Sequence, residues 1–291
     1  MIIKHESVFD NVVAALRAAG CVFAEDEARL VIEAAADEDD LQRLVARRAA
    51  GFPLEYLLGW AEFCGLRITV MPGVFVPRRR TEFLVHQAVD VVTSSAAGRT
   101  TAAVVVDMCC GAGGIGLAVL TALRRLTPTA QARLAAEASL YACDIDPVAI
   151  GCAQANIAAV DGIACQGDLF AALPIELRGR IDLIVCNAPY VPTDAIRLMP
   201  PEARDHELRV ALDGGPDGVA VHRRVTGEAA EWLAPGGSLL IETSRSQSAA
   251  TRAALAEGGL HARIARSDEL DATVAIGTLI VQDRAHAAAR R

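Results

Sequence analysis

The chain has 291 residues, 53% hydrophobic and 22% charged, with a formal net charge of −8. That length accommodates two domains, and the balance is globular rather than disordered. The acidic total excludes a general pull toward duplex nucleic acid or an anionic membrane, so direct nucleic-acid binding is not expected. The stretch Met1 to Glu6 lacks the basic-then-apolar pattern of a signal peptide, and no apolar run reaches membrane-spanning length. A cytoplasmic protein without a membrane partner is expected. Eight cysteines, at 21, 64, 109, 110, 143, 152, 165 and 186, include no Cys-x-x-Cys pair. They read as small buried hydrophobes, and no metal site is expected.

Residues 1–59 read as a helical domain. Ser7 can cap a helix with Val8, Val12, Leu16 and Ala19 on its apolar side, ending at Gly20. Further helices are expected from Asp26 to Ala35, around Leu41 to Arg48, and from Pro53 to Gly59. Residues 60–80 read as a β-hairpin linker, with Phe63 to Val70 as one strand, Met71-Pro72-Gly73 as the turn and Val74-Phe75-Val76 as the return. Residues 81–291 form the larger domain. A helix starts at Thr81, and strands and helices then alternate, which predicts an α/β fold with a parallel sheet. The predicted strands are 103–107, 139–143, 163–166, 181–186, 238–242, 261–265 and 273–281; the predicted helices are 114–126, 147–159, 217–233 and 247–257. The last two strands lack a helix between them and are expected to form an antiparallel hairpin. Thr127 to Ala138 reads as an insertion, and the tail from Arg284 as frayed.

Four strand ends carry the chemistry. Val104-Val105-Val106-Asp107 leads into Met108-Cys109-Cys110-Gly111-Ala112-Gly113-Gly114, a glycine turn that opens a helix. The next two strands end at Asp144 and Asp168. A carboxylate at Asp144 can take two ribose hydroxyls, and one at Asp168 can meet an adenine amino group. Three acidic residues at successive strand ends suit an adenosine carrying a cationic sulfonium better than a dinucleotide pyrophosphate, so S-adenosylmethionine is the expected cofactor. The strand Ile181 to Cys186 is followed by Asn187-Ala188-Pro189-Tyr190, a loop at a sheet's carboxyl edge, where ligands bind in open α/β folds. The Asn187 side-chain oxygen and the Ala188 carbonyl can accept the two N–H groups of a planar acceptor, with Tyr190 as a surface to pack on.

These residues resemble the protein glutamine methyltransferase family, which methylates the side-chain amide nitrogen of glutamine in class 1 release factors or in a large-subunit ribosomal protein. The likeness runs through Arg47 to Gly59, Ala61 to Arg67, Pro72 to Arg78, the cofactor turn, the Asn187 loop, Ala211 to Gly218 and Leu233 to Gly237. It implies a class I S-adenosylmethionine-dependent methyltransferase, with a Rossmann-like seven-stranded sheet and an N-terminal helical domain that helps recognise the protein substrate. It assigns cofactor binding to Asp107, Gly111, Gly113, Asp144 and Asp168, with Cys109 in the turn and Asn187 at the cofactor's edge, and substrate-amide binding to Asn187 and the loop through Ala188, Pro189 and Tyr190. The implied partner is a protein with a target glutamine, a translation factor or ribosomal protein. Three positions depart from the pattern: Ala188 replaces the first proline of Asn-Pro-Pro-Tyr, Cys109 replaces the first glycine of the turn, and Arg79-Arg80 interrupts Pro-Arg-Pro-x-Thr-Glu. Loss of that proline loosens the loop by roughly 0.4–1 kcal/mol. Arg78-Arg79-Arg80 reads either as a solvated loop or as a contact for RNA or an acidic protein. His206 and His222 read as loop or surface residues. Two other activities fit the same residues: amino methylation of a nucleic-acid base, and a non-catalytic regulatory protein that binds S-adenosylmethionine.

Overall fold

The computed structural model describes residues 2–94, 101–126 and 137–280. The predicted insertion and the C-terminal tail fall almost wholly outside these residues.

Four helices open the chain: α1 (Ile2–Ala18), α2 (Ala24–Ala34), α3 (Glu38–Ala49) and α4 (Leu54–Leu58). Val12, Val13 and Leu16 of α1 are buried with Ala24 and Ala28 of α2, and Phe9, Ile32, Leu41 and Val45 pack around them. The apolar stripe of α1 is therefore rotated from the expected one, and Val8 and Ala19 are exposed. The Asp37 side chain caps α3 by accepting from the Asp40 N–H. Gly59 ends α4 at φ +79°, a left-handed position that a side chain rarely adopts.

The hairpin differs from expectation in its turn. Strands β1 (Trp60–Phe63) and β2 (Leu66–Thr69) pair antiparallel around Cys64-Gly65, whose φ values are +52° and +69°. Two successive positive φ angles give the twist that a two-residue hairpin needs, whereas Val74 to Val76 lies outside any strand, the Val74 N–H closing a turn onto the Met71 carbonyl. Phe63 and Ile68 are fully buried in the main core. Asn156 ties the hairpin down, its side chain accepting from the Thr69 N–H and donating to the carbonyls of Thr69 and Ala112.

After α5 (Glu82–Ser94) come β3 (Val104–Met108), α6 (Gly114–Arg124), β4 (Ser139–Asp144), α7 (Pro147–Ile157), β5 (Ile163–Gln166), β6 (Ile181–Cys186), a short α8 (Pro201–His206), α9 (Ala220–Trp232), β7 (Leu233–Thr243), α10 (Ser248–Glu257), β8 (His261–Ser267) and β9 (Ala272–Thr278). The sheet has seven strands in the order β5-β4-β3-β6-β7-β9-β8. All neighbours are parallel except β9, which runs antiparallel to β7 and β8. Buried clusters cover both faces: Val105, Leu183, Leu240 and Ile276 belong to one, and Val106, Ile184, Leu239 and Ala275 to the other. That alternation along each strand is what a doubly covered sheet requires. The chain order turns back between β3 and β6, so their carboxyl ends open a crevice at the topological switch point.

Candidate functional site

The crevice is a cleft of about 1090 Å³, measured to its open mouth, between the glycine turn after β3 and the Asn187 loop after β6. The turn places Cys109 at φ +56°, Gly111 at +53° and Gly113 at +73°. Left-handed backbone costs an L-residue roughly 1–2 kcal/mol, which explains why glycine is the usual residue at the position of Cys109. A Cβ on Gly113 would sit 3.1 Å from that of Ala153, so this glycine also lets α6 and α7 approach. Cys109, Gly111, Gly114 and Ile115 line the cleft.

The three acids occupy three different environments. Asp107 is fully buried and does not line the cleft; its Oδ2 accepts from the Gly116 N–H at 2.8 Å, while Oδ1 has no partner among the described residues. Burial pushes its carboxyl up to about 8, against the Gly116 hydrogen bond that lowers it. Asp144 does line the cleft, and its carboxylate accepts from the Gly111 and Asp146 N–H groups at 2.9 and 3.0 Å. Burial raises its pKa as well. Asp168 lies at the rim, where Arg224 donates to it at 2.7 Å.

On the opposite side Asn187 and Pro189 line the cleft. Among the described residues the Asn187 side chain has no hydrogen-bond partner. Ala188 and Tyr190 are not on the wall: Ala188 is buried in the second core, and the Tyr190 hydroxyl donates to Glu242 Oε1 at 3.2 Å. Glu242 is buried at the end of β7, where desolvation raises its pKa, and Arg80 meets it at 3.4 Å while lying over the Tyr190 ring at 5.9 Å. Burial likewise raises the Tyr190 phenol. Tyr190 thus braces the loop from behind. Gln247 adds a hydrogen bond to the Tyr190 carbonyl at 2.8 Å, and Val191 forms a parallel bridge with Asp213.

Other wall residues were not marked by the sequence pattern. Ile145, directly after Asp144, is 51% exposed and forms an apolar shelf beside that carboxylate. Phe75, Leu208 and Val210 complete an apolar mouth. The signal for Ile145 was present, an apolar residue just past a strand-end acid; nothing local pointed to Leu208 or Val210, which arrive from a segment between α8 and α9.

The basic triplet is divided by the fold. Arg78 pairs with the buried Glu207 and lies 5.0 Å over the Phe75 ring, and Arg80 pairs with Glu242. Two of its three charges are thereby used within the chain. His222 is fully buried rather than superficial; its Nδ1 is 3.1 Å from the Thr251 hydroxyl, and desolvation lowers its pKa to about 4.

The cleft suits S-adenosylmethionine on its own chemistry. A carboxylate held by two backbone N–H groups can accept ribose hydroxyls, the shelf at Ile145 can cover a base, and the glycine turn leaves backbone N–H groups close to the ligand. Among the described residues no helix is long and apolar enough to cross a membrane, and no cluster of three or more metal-ligating side chains occurs.

Residues 91–193 match the RMKL-like methyltransferase domain family. The release factor glutamine methyltransferase of Mycolicibacterium smegmatis is 39% identical over 220 residues, covering 75% of this chain and 71% of that one. The enzyme of the same name from Geobacter sulfurreducens is 38% identical over 206 residues, covering 70% and 65%. The chain thus spans about two thirds of the length of these curated relatives. A 4-amino-L-phenylalanine/4-methylamino-L-phenylalanine methyltransferase of Streptomyces pristinaespiralis is 34% identical, covering 72% of this chain and 67% of that one. Among solved structures, the hMettl16 catalytic domain superposes with a TM-score of 0.53 at 13% identity, covering 82% of this chain and 83% of that one, a likeness of fold alone. Fold, cofactor cleft and relatives agree: the chain is an S-adenosylmethionine-dependent methyltransferase and belongs to the release factor glutamine methyltransferase family.

Proposed function

We propose that the protein methylates the side-chain amide nitrogen of a glutamine in a cytosolic protein substrate, a class 1 release factor in the first instance. The observation that supports this most directly is the Asn187 side chain, lining the cleft without a partner, on a loop braced by Tyr190, Glu242 and Gln247.

An amide nitrogen is a weak nucleophile, because its lone pair is delocalised into the carbonyl. Asn187 Oδ1 and a neighbouring backbone carbonyl of the loop accept the two N–H groups of the substrate amide, which fixes the nitrogen and turns its lone pair toward the cofactor side. Bound S-adenosylmethionine supplies the electrophilic methyl group. Positioning of this kind can contribute up to roughly 7–11 kcal/mol in favourable systems. Asp144 holds the ribose end, and the turn at Cys109 to Gly113 sets the depth of the cofactor. Phe75, Leu208 and Val210 exclude water from the mouth. The methylated amide is acidic enough to release its surplus proton to solvent, so no strong general base is needed. The helical segment 1–59 serves as the recognition domain for the substrate protein.

A second reading is an aromatic amine of small-molecule size, favoured by the Streptomyces pristinaespiralis relative and by the apolar mouth. The deciding experiment incubates the protein and Asn187→Ala with labelled S-adenosylmethionine and either a purified class 1 release factor or 4-amino-L-phenylalanine. A methyl mass shift on a release-factor glutamine, lost in Asn187→Ala while cofactor affinity stays within about twofold, is the expected result. Methylation of the amine alone supports the second reading, and unchanged turnover in Asn187→Ala overturns the role given to that residue.

A further inference from the structure

The mouth of the cleft is anchored to the N-terminal helices through the Tyr56 hydroxyl, which donates to the Val74 carbonyl at 2.7 Å, and through the short segment from Glu202 to Ala211. Arg48 of α3 is buried, and its guanidinium reaches both Glu27 oxygens at 2.5 and 3.0 Å and the Phe52 carbonyl at 3.1 Å. Nη1, the nitrogen that meets the Phe52 carbonyl, also crosses to Glu202 of α8 at 2.5 Å. Four residues on, His206 packs against the Phe52 ring at 4.5 Å between centroids, with the Arg47 guanidinium over the same ring at 4.6 Å. Glu207 follows, buried, holding Arg78 and accepting from the Val76 N–H at 3.3 Å. Leu208, Val210 and Ala211 come next and line the cleft, and the segment then joins the Asn187 loop through the bridge of Val191 with Asp213. Ten residues thus run from a buried cation in the helical bundle to the wall beside the acceptor site.

The cofactor side is built differently. Cys109 to Gly113 and Asp144 rest on β3, β4 and α6, and no contact of Arg48, Phe52 or Glu202 reaches them among the described residues. Displacing α8 therefore acts first on the acceptor wall and reaches the cofactor turn only at second hand, through Glu207, Arg78 and Phe75, which lies beside Gly111.

We propose that Glu202, held by Arg48, is a positioning residue that couples the helical bundle to the acceptor side of the cleft. A protein docked on the helices then acts on the wall at Leu208 and Val210 through this ion pair. The inference rests on the reading of a protein acceptor, and it adds which residues transmit recognition to the site. Glu202 is half exposed, and among the described residues its side chain forms an ion pair with Arg48 and no other, so its replacement tests the link without unfolding the core.

The test uses the full chain with Glu202→Gln, Glu202→Asp as the conservative variant, and Asp205→Ala as a control on the same helix, an exposed residue whose ion pair is with its neighbour Arg204. For Glu202→Gln the expected result is a rise of about tenfold in KM for the protein acceptor, with kcat and S-adenosylmethionine affinity within about twofold. Glu202→Asp recovers part of that loss, and Asp205→Ala behaves as the wild type. Amide hydrogen exchange supplies a readout that needs no acceptor: Glu202→Gln quickens exchange across residues 203–211 and leaves the turn at 109–113 unchanged. Unchanged exchange in Glu202→Gln, or a loss of cofactor affinity equal to the rise in KM, overturns the coupling. Absence of protein methylation by the wild type overturns the acceptor reading instead, and the exchange measurement still decides whether Glu202 holds the wall.

Discussion

Asp107 illustrates how a residue can shape a site without lining it. Its carboxyl fastens the first turn of α6 through Gly116, and burial raises its pKa to about 8. An unfolded aspartate titrates near 3.9, so between about 4 and 8 the folded chain holds a proton that the unfolded chain has released. Stability from this group therefore falls as pH rises through that window and levels off above about 8. His222, depressed to about 4, works in the opposite direction around its unfolded pKa of about 6.5 and adds little slope above about pH 7.5. Thermal unfolding of the ligand-free protein should show Tm falling from pH 6.5 to 8, with a flatter curve for Asp107→Asn, whose amide still accepts from Gly116. Parallel curves for the two proteins would assign the slope to other groups, of which Asp144, Glu207 and Glu242 are also raised by burial. Ala188 carries a different lesson at the same scale. Its side chain lies in the core, so the missing proline bears on the stiffness of the loop more than on the shape of the cleft.

Among the elements, the loop after β6 depends most on its neighbours. The run Asp213-Gly214-Gly215 clasps it: Val191 donates to the Leu212 carbonyl at 3.0 Å, and Gly214 donates to the Val191 carbonyl at 2.9 Å. A Cβ on Gly214 would lie 2.7 Å from the Tyr190 Cα and 2.6 Å from the Gly218 carbonyl oxygen, both backbone atoms that have little room to shift. Gly214→Ala should therefore displace the Asn187 loop, lowering turnover at least about tenfold while S-adenosylmethionine affinity changes little, as calorimetry with the cofactor would register. In the sequence this stretch stands only as the approach to the helix predicted over 217–233. The sequence also left the arginine triplet open, because the partners of Arg78 and Arg80 are Glu207 and Glu242, 129 and 162 residues away.

For the molecule as a whole, the ion cluster at Arg48 joins the helical bundle to the α/β sheet. Removing one member of a buried pair leaves a charge without compensation, at a cost of about 3–5 kcal/mol. Arg48→Met should lower the denaturant midpoint by a corresponding amount, because Glu27 is left buried, whereas Glu202→Gln should cost far less, since Glu202 can turn to solvent. A midpoint unchanged in Arg48→Met would show that Glu27 finds water or another donor. The parallel sheet, the glycine turn, Asp144 and the Asn187 loop were legible in the sequence, because β-branched runs ending in an acid, a glycine or an Asn-x-Pro announce strand ends locally. The positive-φ pair Cys64-Gly65 was misread as strand interior, since Met71-Pro72-Gly73 offered a stronger turn signal nearby. What tertiary structure alone decided was which strand-end acid faces the ligand, what the arginines bind, and which distant segment forms the acceptor wall. Local patterning encodes the period and the ends of elements, whereas burial and partner choice depend on residues brought together only when the sheet and the helices close over one another.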